Sequence, residues 1–172
     1  NYIEEDICEQ RFSVYSYNGL IYLYETLKEK KKYCEINPSS GIHIHVDFSF
    51  ANVSLIKERP MTTIAFKEYF TAQLDKVYEI FGSRYDGNFN AKKVGIDNKG
   101  TWINVRTNLG SVEYRIGHCT FDYETIVKWM VELSKITKQF KYSKELRRVF
   151  KRFDEPTIGI IPIQRIQNKR KT

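Results

Sequence analysis

The sequence predicts an α+β fold, a mostly antiparallel sheet with helices packed on one face, and three observations carry that reading. Gly41-Ile-His-Ile-His-Val-Asp-Phe-Ser-Phe50 alternates strictly between apolar and polar residues. In a strand this sends Ile42, Ile44, Val46, Phe48 and Phe50 to one face and His43, His45, Asp47 and Ser49 to the other. Second, Thr101–Arg106 and Ser111–Gly117 are strand-like segments separated by the turn residues Thr107-Asn-Leu-Gly110, the pattern of a hairpin. Third, apolar residues recur at helical spacing in the stretches between and after these strands. Strands apolar on one face only, joined by a hairpin, belong to antiparallel sheets covered by helices on that side.

Each element follows from local pattern. Glu4 to Tyr15 mixes polar and apolar positions and reads as a strand. From Gly19 a helix is predicted, with Leu20, Leu23, Tyr24 and Leu27 on one stripe and Lys28 to Lys32 at its end, where cations complement the helix dipole. Asn37-Pro-Ser-Ser-Gly41 is a turn delivering the chain into the histidine strand. A single helix is predicted from Met61 to Phe81, with Phe66, Phe70, Leu74, Val77 and Phe81 on its stripe and Gly82 as C-cap. Arg84 to Asn90 reads as a loop, and Asp97-Asn-Lys-Gly100 as a turn into the strand at Thr101. In the strand that follows the hairpin, Val112, Tyr114 and Ile116 face the core while Glu113 and Arg115 project oppositely. Asp122 is the predicted N-cap of a helix reaching Phe140, with Ile126, Met130, Leu133 and Phe140 inward. A last short helix starts near Ser143, and Tyr142, Phe150 and Phe153 fit an apolar stripe along it.

Composition narrows the class. With 172 residues, 41% hydrophobic and 15% aromatic, the chain can bury a real core and is not a disordered one. No apolar run approaches the roughly 20 residues that span a bilayer. Three cysteines with no Cys-x-x-Cys pair argue against a disulfide framework or zinc ribbon, so a reducing, cytoplasmic setting without membrane contact is expected. The net charge of +7 is localised: residues 141–172 hold ten Lys and Arg against three Asp and Glu, and the remainder is neutral. This predicts two parts, a domain over 1–140 and a basic helix and tail over 141–172. The tail is either a solvated terminus or a contact for an anionic partner such as nucleic acid.

The polar faces of the two motif strands carry the chemistry. Imidazole and carboxylate on one sheet face suit a divalent cation, with oxygen ligands favouring Mg²⁺ or Mn²⁺. Arg115, two residues after Glu113, projects with it, and a guanidinium beside such a carboxylate suits a polyphosphate. A metallo-β-lactamase-like hydrolase would continue His-x-His-x-Asp with another His, where this chain has Phe48. A cupin would need a later third histidine, for which only His118 is present. The bland alternative is a pair of surface histidines bonded to neighbours.

Ser-Ser-Gly-Ile-His-Ile-His-Val (Ser39 to Val46) resembles the Gly-x-His-x-His strand of the amidoligases, carboxylate–amine ligases related to glutamine synthetase. Gly110 to Asp122, running into a helix with Trp129, resembles their Thr-Val-Glu-Phe-Arg-x-x-x-x-Thr-Leu-Asp segment. Arg84-Tyr85, Ile103-Asn104-Val105 and Cys8-Glu-Gln-Arg-Phe-Ser-Val fall where the family has an Arg-aromatic loop, an Asn-bearing strand and a Glu-bearing strand. The resemblance spans residues 8–140 and implies a glutamine synthetase-like catalytic domain using ATP with Mg²⁺ or Mn²⁺. It implies His43, Glu113 and Glu9 as metal ligands and His45 near the carboxylate substrate. It also implies Arg115 and Arg84 as phosphate contacts, with Asn104 beside the nucleotide. The implied substrates are a carboxylate and an amine, peptides or proteins among them.

One departure bears on this. The family's earlier Glu-x-Glu strand has no counterpart before Glu9, since Glu4 and Glu5 are adjacent and would point to opposite faces. With the start at Asn1, this predicts an upstream segment or a second subunit that completes the site. The alternative is a catalytically inactive descendant serving in assembly or nucleic-acid contact through its basic end.

Overall fold

A computed structural model describes residues 12, 14, 16–36, 40–48, 60–82 and 91–154. The predicted strand over 4–15 lies outside these, residues 12 and 14 apart. Helix α1 (Tyr17–Tyr33) is capped by Ser16, whose Oγ accepts from the Gly19 amide at 3.3 Å, and Lys30, Lys31 and Lys32 close its last turn. Strand β1 (Gly41–Asp47) follows. The predicted helix from Met61 to Phe81 is two helices, α2 (Pro60–Thr71) and α3 (Leu74–Phe81). The chain breaks at Ala72 and Gln73, and Gly82 ends α3 at a φ of 71°, a value that favours glycine. Strands β2 (Ala91–Ile96), β3 (Thr101–Arg106) and β4 (Ser111–His118) precede α4 (Tyr123–Gln139). A 3₁₀ turn (Phe140–Tyr142) then leads into α5 (Lys144–Asp154), which Ser143 caps by accepting from the Leu146 amide at 3.1 Å.

The sheet order is β1-β4-β3-β2. β1 and β3 both pair antiparallel to the central β4, but β2 runs parallel to β3. The sheet is therefore mixed, and the expectation of a mostly antiparallel sheet is corrected. The reason lies in residues 97–100. They do not fold into a tight hairpin; they carry the chain back along β2, so that the Ala91 amide donates to Gly100 O at 2.8 Å and the Asp97 amide to Val105 O at 2.8 Å. Asp97 starts this return at a φ of +49°, and its carboxylate accepts from the Thr107 amide at 2.9 Å and the Thr107 hydroxyl at 2.5 Å.

Ile44, Val46, Phe48, Ile103, Val105, Val112, Tyr114 and Ile116 are buried together with residues of α1 to α4, so one core joins the sheet to the helices. Phe48 meets Phe66, Phe70 and Phe140, and Tyr114 shares a 2.8 Å hydroxyl contact with Thr137 of α4. Tyr69 donates to Ile136 O at 2.8 Å; burial, with the Glu145 charge second, pushes its phenol up to about 12. Tyr142 departs from the predicted stripe. It is 68% exposed, with the Lys141 ammonium 5.9 Å from its ring centre. No helix among the described residues is long and apolar enough to cross a membrane.

The pairing of β1 with β4 contains an irregularity. Ile42 faces Gly117 and Ile44 faces Tyr114, so β4 carries one extra residue there. Such bulges bend a strand and re-aim its side chains. Gly117 sits at the bulge because a Cβ on it would lie 2.7 Å from Ile42 O and 3.0 Å from the Phe81 ring. Gly117→Ala is expected to cost roughly 1–3 kcal/mol, the usual range for overpacking a tight site. Urea denaturation of the two proteins measures it, and an unchanged midpoint would show that the close approach is not what holds β1 to β4.

Candidate functional site

The polar face opposite the core is organised around one carboxylate. β4 lies between β1 and β3, and the register sets both His45 and Asn104 directly opposite Glu113. Side chains paired across neighbouring strands lie about 4.5–5.5 Å apart at Cβ, within reach of one another. Glu113 is 2% exposed. Its Oε1 accepts from Arg115 Nη1 at 2.5 Å, and its Oε2 accepts from Asn104 Nδ2 at 3.1 Å. Arg106 Nη1 stands 3.5 Å from Oε2, while His43 Nδ1 and His45 Nε2 stand 3.7 and 3.6 Å from Oε1. The second ring nitrogen of His45 is 3.1 Å from Ser111 Oγ, which fixes the ring between β1 and the start of β4.

The electrostatics follow from this crowding. Burial by itself raises the Glu113 pKa, since desolvation disfavours a bare carboxylate. The His45 ring, the Asn104 amide and the Arg115 charge together outweigh it, and the carboxyl is held well below the usual carboxylate range. Asn104 is fully buried and used at both ends: Nδ2 donates to Glu113 and Oδ1 accepts from the Asn98 amide at 2.9 Å. One side chain thus ties the 97–100 return to the central carboxylate.

The structure brings His43, His45, Asn104, Glu113 and Arg115 together, from the neighbouring strands β3 and β4 and the sequence-distant β1. Glu9 and Arg84 lie outside the described residues. Two contributors were not singled out from sequence. Arg106 was legible, being two residues beyond Asn104 and so on the same face; Ser111 carried no signal of its own. His118, the late histidine a cupin would use, packs its ring edge-on against Trp129 at 4.9 Å instead of joining this group.

A divalent cation would find His43, His45 and Glu113 as its nearest donors. In the arrangement seen, both Glu113 oxygens are held by N–H donors, and no group of three or more His, Cys, Asp or Glu among the described residues is set to hold a metal. A cation could use Glu113 only with Arg115 turned away from it.

Next to this cluster is an open cleft of about 340 Å³ lined by Asp97, Lys99, Arg106, Thr107 and Asn108. Arg106 belongs to both, reaching Glu113 while lining the cleft. Among the described residues, Lys138, Lys141, Lys144 and Arg148 are exposed at the α4–α5 corner. No protein-family model, curated protein or solved structure matches the chain.

Proposed function

We propose that the chain is the catalytic part of an ATP-dependent carboxylate–amine ligase with a glutamine synthetase-like domain, completed by an upstream segment or a second subunit. The observation that carries this reading is the convergence of His43, His45, Asn104 and Arg115 on Glu113. These are the residues the family resemblance names, and they come from β1, β3 and β4 to one buried carboxylate. The reaction runs in two steps. The γ-phosphoryl group of ATP passes to a carboxylate oxygen, releasing ADP and leaving an acyl phosphate. An amine nitrogen then attacks the acyl carbon and phosphate departs, giving the amide.

In this scheme Arg115 turns from Glu113 to pair with the oxygens of the transferring phosphoryl group, which opens the Glu113 oxygen it held. His45, fixed by Ser111, borders the substrate carboxylate. Asn104 keeps Glu113 oriented from the opposite strand. A bound Mg²⁺ or Mn²⁺ would supply charge neutralisation, and His43 and Glu113 are the described residues that would hold it.

The test is a crystal soak of the full chain with Mn²⁺ and a non-hydrolysable ATP analogue, read by anomalous scattering, alongside ADP release with carboxylate and amine mixtures. Manganese between His43 and Glu113 with phosphate at Arg115 is expected. Arg115→Ala is expected to lower turnover by about a hundredfold, the scale for losing one charge-stabilising donor. A site empty of both metal and phosphate, or turnover untouched by Arg115→Ala, would sink the ligase reading.

The second reading is a non-catalytic descendant that contacts an anionic partner such as nucleic acid through its basic end. The exposed Tyr142 with Lys141 over its ring, flanked by Lys138 and Lys144, favours it, because stacking next to cations suits single-stranded nucleic acid. That reading needs no nucleotide at Arg115, so the same soak separates the two.

A further inference from the structure

Alternation along β3 places Arg106 on the face that carries Asn104, and its side chain is only 20% exposed. Its guanidinium stands 3.5 Å from Glu113 Oε2, an ion-pair distance beyond a normal hydrogen bond. Each Glu113 oxygen already accepts a shorter contact, one from Arg115 and one from Asn104. The carboxylate therefore orients Arg106 by its charge while leaving the planar fork of donors for another partner. The other side of Arg106 borders the cleft, and Lys99 lines that cleft as well.

The remaining lining residues support the same ligand. Asp97 is the one acid in the wall, and its two oxygens accept from the amide and hydroxyl of Thr107. Two cations thus face one carboxylate whose oxygens are engaged. That is a poor place for a divalent cation, which needs open oxygen ligands, and a good one for a group with several acceptor oxygens. At about 340 Å³ the cleft is within the range of small-ligand sites.

We propose that the cleft lined by Arg106, Lys99, Thr107 and Asn108 binds a phosphoryl oxyanion directly, with no divalent cation required. The ligand chemistry is that of inorganic phosphate, pyrophosphate or the phosphate tail of a nucleotide. The proposal rests on reading this sheet face as phosphate-handling, but it stands apart from the ligase reaction. Phosphate would be held here before and without the metal that the reaction calls for.

The experiment is calorimetric titration of the full chain in EDTA at low salt, with phosphate, pyrophosphate and ATP in separate arms. Saturable metal-free binding of one equivalent is expected, and the tightest arm identifies the source of the phosphoryl group. Arg106→Gln is expected to weaken it at least about tenfold, since hydrogen bonds to charged groups are worth about that much each. Lys99→Ala, at an exposed position where the fold is indifferent, is expected to weaken it about threefold and decides the matter if Arg106→Gln does not fold. Affinity unchanged in Lys99→Ala and in folded Arg106→Gln would overturn the proposal, as would binding that appears only on adding Mg²⁺. Metal-free pyrophosphate binding by a chain that fails the soak and turnover tests would keep the cleft and remove the ligase.

Discussion

Glu113→Gln is expected to destabilise the domain by about 3 kcal/mol at pH 7, and the loss is expected to shrink as the pH falls. Removing one partner of a buried ion pair costs about 3–5 kcal/mol, because the remaining charge is left without compensation. Here that charge sits on Arg115, with Arg106 beyond it. Gln keeps the shape and one acceptor oxygen, which sets the loss at the lower end. The pH dependence has a definite sign. The folded chain holds the Glu113 carboxyl below its ordinary value of 4.5, so the unfolded chain takes up that proton first. The full contribution is present above about pH 4.5 and is lost as the pH drops toward the folded value. In Glu113→Gln no such proton exists, so the stability gap should be wide at pH 6 and narrow at pH 3. Urea denaturation at three or four pH values measures it. A gap that stays constant would mean that ionised Glu113 is not what holds the two arginines.

Phe140→Ala is expected to cost about 3–5 kcal/mol, the range for deleting a fully buried aromatic ring. A domain of this kind is stable by only about 5–15 kcal/mol, so this is the change most able to leave the chain unfolded. Phe140 lies in the 3₁₀ turn between α4 and α5, with its ring centre 5.4 Å from Phe48, 5.8 Å from Phe66, 5.4 Å from Tyr69 and 5.8 Å from Phe70. The cavity would open where β1, α2 and the α4–α5 corner meet, and the aromatic neighbours are too rigid to fill it. Chemical denaturation checks it. A loss under about 1 kcal/mol would mean that the surrounding rings collapse into the space.

Much of the site was legible because strands with one buried face write their geometry into alternating residues. Gly41–Phe50 and Ser111–Gly117 did so, and the faces of Ile44, Val46, Tyr114 and Glu113 followed. The strand β2 was not legible: Ala-Lys-Lys-Val-Gly-Ile shows no alternation, and its first three residues are exposed. Its parallel pairing was hidden for a different reason. Asp97-Asn-Lys-Gly100 has the composition of a tight turn, and only the hydrogen bonds of Ala91 and Asp97 reveal that it doubles back. The break between α2 and α3 left no mark either, because the stripe of Phe66, Phe70, Leu74, Val77 and Phe81 runs unbroken across it. Asp122 marks the right place for the start of α4, but its carboxylate receives the Thr125 hydroxyl at 2.5 Å instead of a backbone amide.

The bulge in β4 has a consequence for how this sequence can change in length. A strand has a side-chain period of two, so one inserted or deleted residue between Ser111 and Tyr114 would swap its faces. Glu113 would be driven among the phenylalanines and Tyr114 would be left among the arginines. The one surplus residue that β4 tolerates is already spent between Tyr114 and Gly117, where the Ile42 carbonyl and the Phe81 ring leave no room for another. The Thr107 to Gly110 loop, with Asn108 and Leu109 exposed, absorbs added residues without moving either face. Between β3 and β4, drift in chain length is therefore confined to the rim of the cleft, while the spacing that sets Glu113 between His45 and Asn104 is frozen.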